Sequence, residues 1–115
     1  FTSSFVAEVG DASGHTSIVG FLIFHISADV SEIYNIAVES GYARLGVGTQ
    51  LMTTAIKDSR LKNARKMVLE VRKSNAAAIG FYVGFDFQIV GERKNYYSNP
   101  IEDAYVMERA TEPGP

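Results

Sequence analysis

The sequence predicts an α+β domain, built on a mixed, mostly antiparallel sheet with a central parallel β-α-β unit and flanking helices. Runs rich in β-branched and aromatic residues occur towards both ends of the chain, and turn-forming residues separate them, which is typical of antiparallel hairpins. In the middle of the chain a strand, a helix and a strand follow one another. This order indicates a parallel pair of strands with a right-handed crossover.

The first hairpin is predicted from residues 5–9 and 18–26, whose valine, isoleucine and phenylalanine residues favour strands. Residues 10–14 (Gly-Asp-Ala-Ser-Gly) lie between them and mark a turn. A third strand is predicted over residues 31–38.

A helix is predicted after Gly48, because apolar residues recur on one side at helical spacing; these are Leu51, Met52, Ala55 and Ile56. The next strand is predicted over residues 66–72, where side chains alternate between two faces.

A second helix is predicted over residues 75–85, with Asn75 as its N-cap. Strands over residues 87–95 and 103–109 then form a hairpin around Ser98-Asn99-Pro100. We expect residues 1–110 to form one domain and residues 111–115 to be a flexible tail.

Composition excludes several classes of protein. The 115 residues carry 11 basic and 13 acidic side chains, interspersed, so no nucleic-acid surface is expected. No apolar run approaches the roughly 20 residues that cross a membrane. The chain has no cysteine, which excludes thiolate catalysis and cysteine-ligated zinc, and His15 and His25 lack metal-ligand spacing. We therefore expect a cytoplasmic protein without a metal.

The turn at residues 44–48 (Arg-Leu-Gly-Val-Gly) links a strand to a helix and resembles an anion cradle. Glycine lets backbone approach a ligand closely, and the first N–H groups of a helix have no internal partner. Arg44 is a good partner for pyrophosphate, although an ordinary exposed arginine is the alternative. The turn is neither a P-loop nor a dinucleotide fingerprint.

A series of further motifs occurs around this turn, in one order and at close spacings: Asn-Ile-Ala-Val at 35–38, Leu-Glu-Val-Arg at 69–72, Ser-Asn-Ala-Ala-Ala-Ile at 74–79, Tyr82, and Asn-Tyr-Tyr at 95–97. Over residues 30 to 109 the chain resembles the GNAT superfamily of acetyl-CoA-dependent N-acetyltransferases. Within it, the chain is most similar to the bacterial ribosomal-protein-alanine N-acetyltransferases, which acetylate protein N-termini.

The resemblance implies acetyl-CoA as co-substrate and assigns residues to it. The backbone of Ile36, Ala37 and Val38 would align with the pantetheine amides, and Asn75 would also contact this arm. The pyrophosphate would be bound by residues of the glycine turn: Arg44, Leu45, Gly46, Val47, Gly48 and Thr49. The strand residues would also belong to the core, and the alternative role of Asn75 is that of a helix cap only.

Glu70 and Tyr82 are the predicted catalytic residues. Glu70 lies mid-strand, where a carboxylate has poor β-propensity, and the resemblance places it at the general base that deprotonates the acceptor amine. The alternative is a strand-face glutamate that points to solvent or pairs with Arg72. The resemblance places the hydroxyl of Tyr82 near the thioester sulfur, where it would protonate the departing thiolate. The alternative is a packing role only.

The chain departs from the family pattern at several places. Ala43 replaces the usual Gln or Arg, which removes one polar contact to the cofactor. Asp86 replaces the glycine after the second helix, at a local cost, because Asp tolerates a left-handed conformation. Relatives also carry a strand and two helices before this point. We expect that segment, which contributes to the substrate wall, to be lacking here.

The sequence therefore predicts an N-acetyltransferase that acts by direct transfer in a ternary complex, with a protein N-terminus, such as that of a ribosomal protein, as acceptor. Tyr96 and Tyr97 are candidate walls for the acceptor peptide, or sheet packing. The alternatives are acetylation of a small amine or a lysine side chain, and a non-catalytic acyl-CoA-binding module. A homodimer is left open.

Overall fold

The computed structural model describes residues 2–10, 12–42 and 45–112. In these ranges the elements are, in chain order, β1 (Thr2–Gly10), β2 (Thr16–Ser27), β3 (Val30–Val38), a 3-10 turn (Ser40–Tyr42), α1 (Val47–Leu61), β4 (Lys66–Arg72), α2 (Ala76–Gly84), β5 (Gln88–Tyr97) and β6 (Glu102–Ala110).

The strands of the described ranges form one sheet in the order β1-β2-β3-β4-β6-β5. Neighbouring strands are antiparallel except β3 and β4, which run parallel and are connected through α1. The predicted fold class is therefore confirmed. Both predicted hairpins form, because β1 pairs with β2 and β5 pairs with β6.

The core lies on one face of the sheet, beneath α1. On β2 every second side chain from Leu22 to Ile26 is buried. The same core includes the buried side chains of α1 and the inward residues of the central strands, which are Leu51, Met52, Ala55, Ile56, Met67, Leu69, Val71 and Met107. Burial of each large apolar side chain contributes about 1.5–3 kcal/mol, so this layer holds α1 firmly on the sheet.

A buried polar contact joins α1 to the start of β3. The hydroxyl of Ser59 donates to the hydroxyl of Ser31 at 2.9 Å, and both residues are fully buried. Since a buried hydroxyl without a partner would be costly, this pair sets how α1 lies over the parallel strands.

The packed domain extends beyond the predicted boundary at residue 110. Thr111 is fully buried; its hydroxyl donates to the carbonyl of Ala64, and its N–H donates to the carbonyl of Arg65 at 3.1 Å. The guanidinium of Arg60 donates to the Thr111 carbonyl. The prediction of a flexible tail from residue 111 is therefore corrected at Thr111, because hydrogen bonds anchor it, and residues 113–115 lie outside the described residues.

The end of α2 confirms one local prediction. Asp86, which replaces a glycine, has a φ of +67° and so adopts the left-handed conformation expected for it. Asp is one of the few non-glycine residues that do so at small cost.

Candidate active site

A cleft opens where β3 and β4 diverge. In the described part of the chain their parallel ladder comprises three residue pairs, from Val30–Lys66 to Glu32–Val68, although both strands continue further. Next to this point the pairing of β3 with β2 shifts by one residue, so that Tyr34 is the extra residue of a β-bulge. Because a bulge bends and twists its strand, it accounts for the divergence.

The cleft has a volume of about 550 Å³ and is formed by β3, β4, the first turn of α1, α2 with its N-cap, and the end of β5. Its lining residues are Ile33, Tyr34, Asn35, Ile36, Ala37, Val38, Gly48, Leu69, Glu70, Val71, Arg72, Asn75, Ala78, Phe81, Tyr82 and Tyr97. Beyond the ladder, the backbone groups of β3 that face β4 have no strand partner among the described residues, so they are available to a ligand.

Glu70 lines the cleft from β4. Its side chain is 12% exposed, and its Oε1 accepts a hydrogen bond from Nε of Arg93 at 3.2 Å. The alternative pairing with Arg72 is not found, because the Arg72 guanidinium is engaged elsewhere. Arg93 was not singled out from the sequence, since 23 residues separate it from Glu70.

Arg72 joins β4 to the β5–β6 hairpin. Its guanidinium donates to Glu102 Oε1 at 3.1 Å and to the carbonyls of Ser98 and Pro100, at 3.1 and 3.0 Å. It also lies over the ring of Tyr97, 4.4 Å from the centroid. These contacts hold the hairpin turn, and with it Tyr97, against the cleft.

The backbone conformation of Asn95 explains how Tyr97 reaches the cleft. Asn95 has a φ of +51°, and the pairing register of β5 shifts between Arg93 and Tyr97. Its N–H donates to Asp103 Oδ1 at 2.9 Å, and this hydrogen bond, with the Lys94 ammonium, lowers the pKa of Asp103. Because asparagine tolerates the left-handed conformation, the strand can turn there and bring Tyr97 into the cleft.

Tyr82 lies on α2 and combines burial with access to the cleft. Its residue is 8% exposed, and its ring packs edge-on against Phe81 and Phe87, with centroids 5.7 and 5.8 Å apart. Burial, and then the proximity of Tyr97, raise the pKa of its hydroxyl. At neutral pH Tyr82 is therefore a protonated hydrogen-bond donor that faces the cleft.

Asn75 is the N-cap of α2, as predicted, and it also lines the cleft. Its side-chain oxygen accepts from the N–H of Ala78 at 3.1 Å. The cap orients the side chain, and the amide NH₂ group remains a donor for a ligand.

The first turn of α1 leaves its N–H groups uncapped by a side chain. Gly46 is the N-cap with a φ of +79°, which favours glycine, and it makes no side-chain cap. Gly48 lines the cleft, and a Cβ atom there would lie 3.4 Å from the ring of Phe81. The turn carries no acidic residue, so it presents partial positive charge at the edge of the cleft.

Some of the predicted site residues line the cleft, and others lie beside it or outside the described residues. The cleft brings together Ile36, Ala37, Val38, Gly48, Glu70, Asn75 and Tyr82. The other residues of the turn lie beside it: Val47 packs on the core, and Leu45, Gly46 and Thr49 are exposed. Arg44 lies outside the described residues, as does Ala43.

The described residues contain no group of three or more His, Cys, Asp or Glu side chains that could hold a metal ion. None of their helices has the length and apolar character required to cross a membrane.

Comparison with protein families matches residues 2–87 to the Acetyltransferase (GNAT) family. The [ribosomal protein bS18]-alanine N-acetyltransferase of Escherichia coli K12 is 36% identical over 92 residues, which cover 78% of this chain and 62% of that protein. The crystal structure of the Escherichia coli ribosomal-protein-S18-alanine N-acetyltransferase has a TM-score of 0.76 at 33% identity, covering 85% of this chain and 64% of the other.

Two other proteins extend the comparison. The N-alpha-acetyltransferase of Sulfurisphaera tokodaii is 41% identical over 76 residues, 65% of this chain and 45% of that protein. A GNAT family acetyltransferase from Elizabethkingia anophelis, crystallised with acetyl-CoA bound, has a TM-score of 0.73 at 25% identity over 82% of this chain and 69% of the other. The chain thus spans less than two thirds of the length of the curated relatives it matches.

Proposed function

This chain belongs to the Acetyltransferase (GNAT) family, and from that premise we propose that it transfers the acetyl group of acetyl-CoA to a protein N-terminal α-amine. The observation that carries the proposal is the cleft between β3 and β4, which holds Glu70 and Tyr82 in one space and extends to the first turn of α1.

The cleft is suited to the extended arm of CoA. Past the parallel ladder, the β3 edge at Ile36, Ala37 and Val38 offers backbone donors and acceptors to the pantetheine amides, and the NH₂ group of Asn75 adds a donor. At the α1 end of the cleft, the uncapped N–H groups would bind the pyrophosphate, with Arg44 as a further cationic partner.

The proposed chemistry uses one base and one acid. Glu70 takes a proton from the acceptor ammonium, directly or through one water, and the free amine then forms a C–N bond with the thioester carbonyl carbon. As the C–S bond breaks, the hydroxyl of Tyr82 gives its proton to the departing thiolate. The acylated nitrogen then loses its remaining extra proton, which restores the Tyr82 hydroxyl, and Glu70 releases its proton to solvent. The pKa of Tyr82 is raised, so this proton is present at neutral pH.

The acceptor class is supported by the relatives' names, since a bacterial relative is a ribosomal-protein-alanine N-acetyltransferase and another is an N-alpha-acetyltransferase. We infer an acceptor with a free α-amino group on an exposed N-terminus, such as a ribosomal protein that begins with alanine. An α-amine has a pKa of about 7.7–8.0, so the base must shift only a modest equilibrium.

A thiol-release assay tests the activity and its acceptor together. The first acceptor is a peptide with a free N-terminal alanine, and the others are the same peptide with a blocked N-terminus and one lysine, and a small primary amine. We expect turnover with the free N-terminus. Turnover with lysine or the small amine alone would contradict the acceptor class, and CoA binding without turnover on any acceptor would indicate a non-catalytic module.

Glu70→Gln tests the base within the same assay. It keeps the shape of the side chain and removes its charge, so acetyl-CoA affinity should be nearly unchanged while turnover falls roughly 10²-fold. A variant with the rate of the unmodified protein would show that Glu70 is not the base.

A further inference from the structure

The carboxylate of Glu70 is held by a cation from a strand that is not its neighbour. In the sheet β6 lies between β4 and β5. Arg93 on β5 pairs with Ala104 of β6, whereas Glu70 on β4 pairs with Val106 of β6, two residues further along that strand. Arg93 therefore reaches diagonally over β6 to Glu70. The residue of β5 opposite Val106 is Gly91, which has no side chain to obstruct this path.

The two carboxylate oxygens of Glu70 have different surroundings. Oε1 accepts from Nε of Arg93 at 3.2 Å, whereas Oε2 has no hydrogen-bond partner among the described residues. The Glu70 side chain is 12% exposed, and the Arg93 side chain is 56% exposed. The guanidinium also lies 6.0 Å from the ring centroid of Tyr96.

We propose that Arg93 is a positioning residue for Glu70: it holds Oε1, so that Oε2 is the oxygen presented to the acceptor ammonium. The inference rests on the proposed function, in which Glu70 is the base. The last torsion of a glutamate is broad, so a carboxylate without a fixed partner would sample several orientations. A charge-assisted hydrogen bond to one oxygen restricts them.

This role predicts a distinct kinetic signature for Arg93→Gln. The base remains but is less often in the productive orientation, so the maximal rate should fall about tenfold, less than the loss in Glu70→Gln. Acetyl-CoA affinity and the KM for the acceptor peptide should change by less than about twofold, because Arg93 acts through Glu70 rather than on either substrate.

Arg93→Lys provides a conservative rescue. The hydrogen bond to Glu70 is made by Nε and not by the terminal amino groups, so the lysine ammonium has enough reach to replace it. We expect Arg93→Lys to retain roughly half of the unmodified rate or more. A rate as low as that of Arg93→Gln would contradict the positioning role.

The decisive experiment combines Arg93→Gln with Glu70→Gln. If Arg93 acts through the carboxylate, adding Arg93→Gln to the Glu70→Gln protein should cause no further loss of rate. An equal loss in both backgrounds would overturn the proposal, since Arg93 would then act independently of Glu70. Arg93→Gln at the unmodified rate, with Glu70→Gln impaired, would also overturn it and leave the proposed function standing. An unimpaired Glu70→Gln would instead refute the proposed base itself.

Arg65→Gln is the matched control. Arg65 also pairs with a carboxylate through Nε, that of Asp29, and is 65% exposed, but Asp29, unlike Glu70, does not line the cleft. Its rate should equal that of the unmodified protein. Thermal melts of all variants separate a kinetic effect from a loss of folded protein.

Discussion

At the residue scale, Tyr82 and Glu70 meet two demands at once. Tyr82 packs against Phe81 and Phe87 and still faces the cleft, so the sequence alternatives of packing and catalysis do not exclude each other. Glu70 is held within a sheet by a cation two strands away. Arg93 restricts the orientation of Glu70, and the rings of Phe81 and Phe87 restrict that of Tyr82, as the proposed roles of base and acid require.

Tyr82→Phe separates these two roles. It removes the hydroxyl and keeps the ring, so CoA affinity and the melting temperature should be nearly unchanged. If the hydroxyl protonates the thiolate, the maximal rate should fall about 10²-fold, within the range expected for a positioned acid. A lowered melting temperature with normal turnover would show that Tyr82 serves packing alone.

At the element scale, the cleft results from how strands and helices end or bend. The bulge at Tyr34 turns β3 away from β4, the left-handed Asn95 turns β5, and Arg72 ties the hairpin turn to β4. The start of α1, with Gly46 and Gly48, borders the same space. Each feature is local, but the cleft forms only because they meet where β3 and β4 diverge.

Gly48→Val tests the role of the α1 start in cofactor binding. A valine side chain would occupy space beside Phe81 and the cleft, where the pyrophosphate is proposed to approach the helix. The dissociation constant for CoA should rise at least about tenfold, equivalent to about 1.4 kcal/mol.

Gly80→Val is the control for that substitution, since a Cβ atom at this helical glycine meets no neighbour within 4 Å. Its CoA affinity, measured by calorimetry, should be that of the unmodified protein. If a folded Gly48→Val protein binds CoA equally well, the assignment of the pyrophosphate to this turn is wrong.

At the scale of the whole molecule, two ionised carboxylates of β6, those of Glu102 and Asp103, hold neighbouring parts of the domain together. Glu102 accepts from the N–H of Ser74 at 2.7 Å and from Arg72, and these bonds lower its pKa. Asp103 has a lowered pKa for similar reasons, chiefly the N–H of Asn95. These contacts connect β4, β5, β6 and the chain before α2, so their loss should affect the unfolding of the entire domain.

The sign of the pH dependence follows from these shifts. The pKa values of Glu102 and Asp103 lie below their ordinary values of 4.5 and 3.8 in the folded protein. Their stabilisation is therefore complete above about pH 4.5 and is lost as the pH falls through the folded pKa values. The urea midpoint should decrease from about pH 5 to about pH 3, and less steeply in Glu102→Gln. Equal slopes in both proteins would contradict this assignment.

Local chemistry determined much of what the sequence by itself could predict. The order of strands and helices, the parallel β-α-β unit, the Asn75 cap and the left-handed Asp86 follow from neighbouring residues, because periodicity, capping and backbone preference act over a few positions. The family motifs likewise predicted that Glu70, Tyr82 and Asn75 belong to one site.

Only the tertiary structure decided which distant residues meet. Arg93 rather than Arg72 contacts Glu70, Arg72 instead holds the hairpin turn, and Thr111 is buried against the end of α1. These contacts depend on the insertion of β6 between β4 and β5 and on a bulge in β3. Pairing energies between distant strands set that arrangement, and residues near in the chain do not specify them.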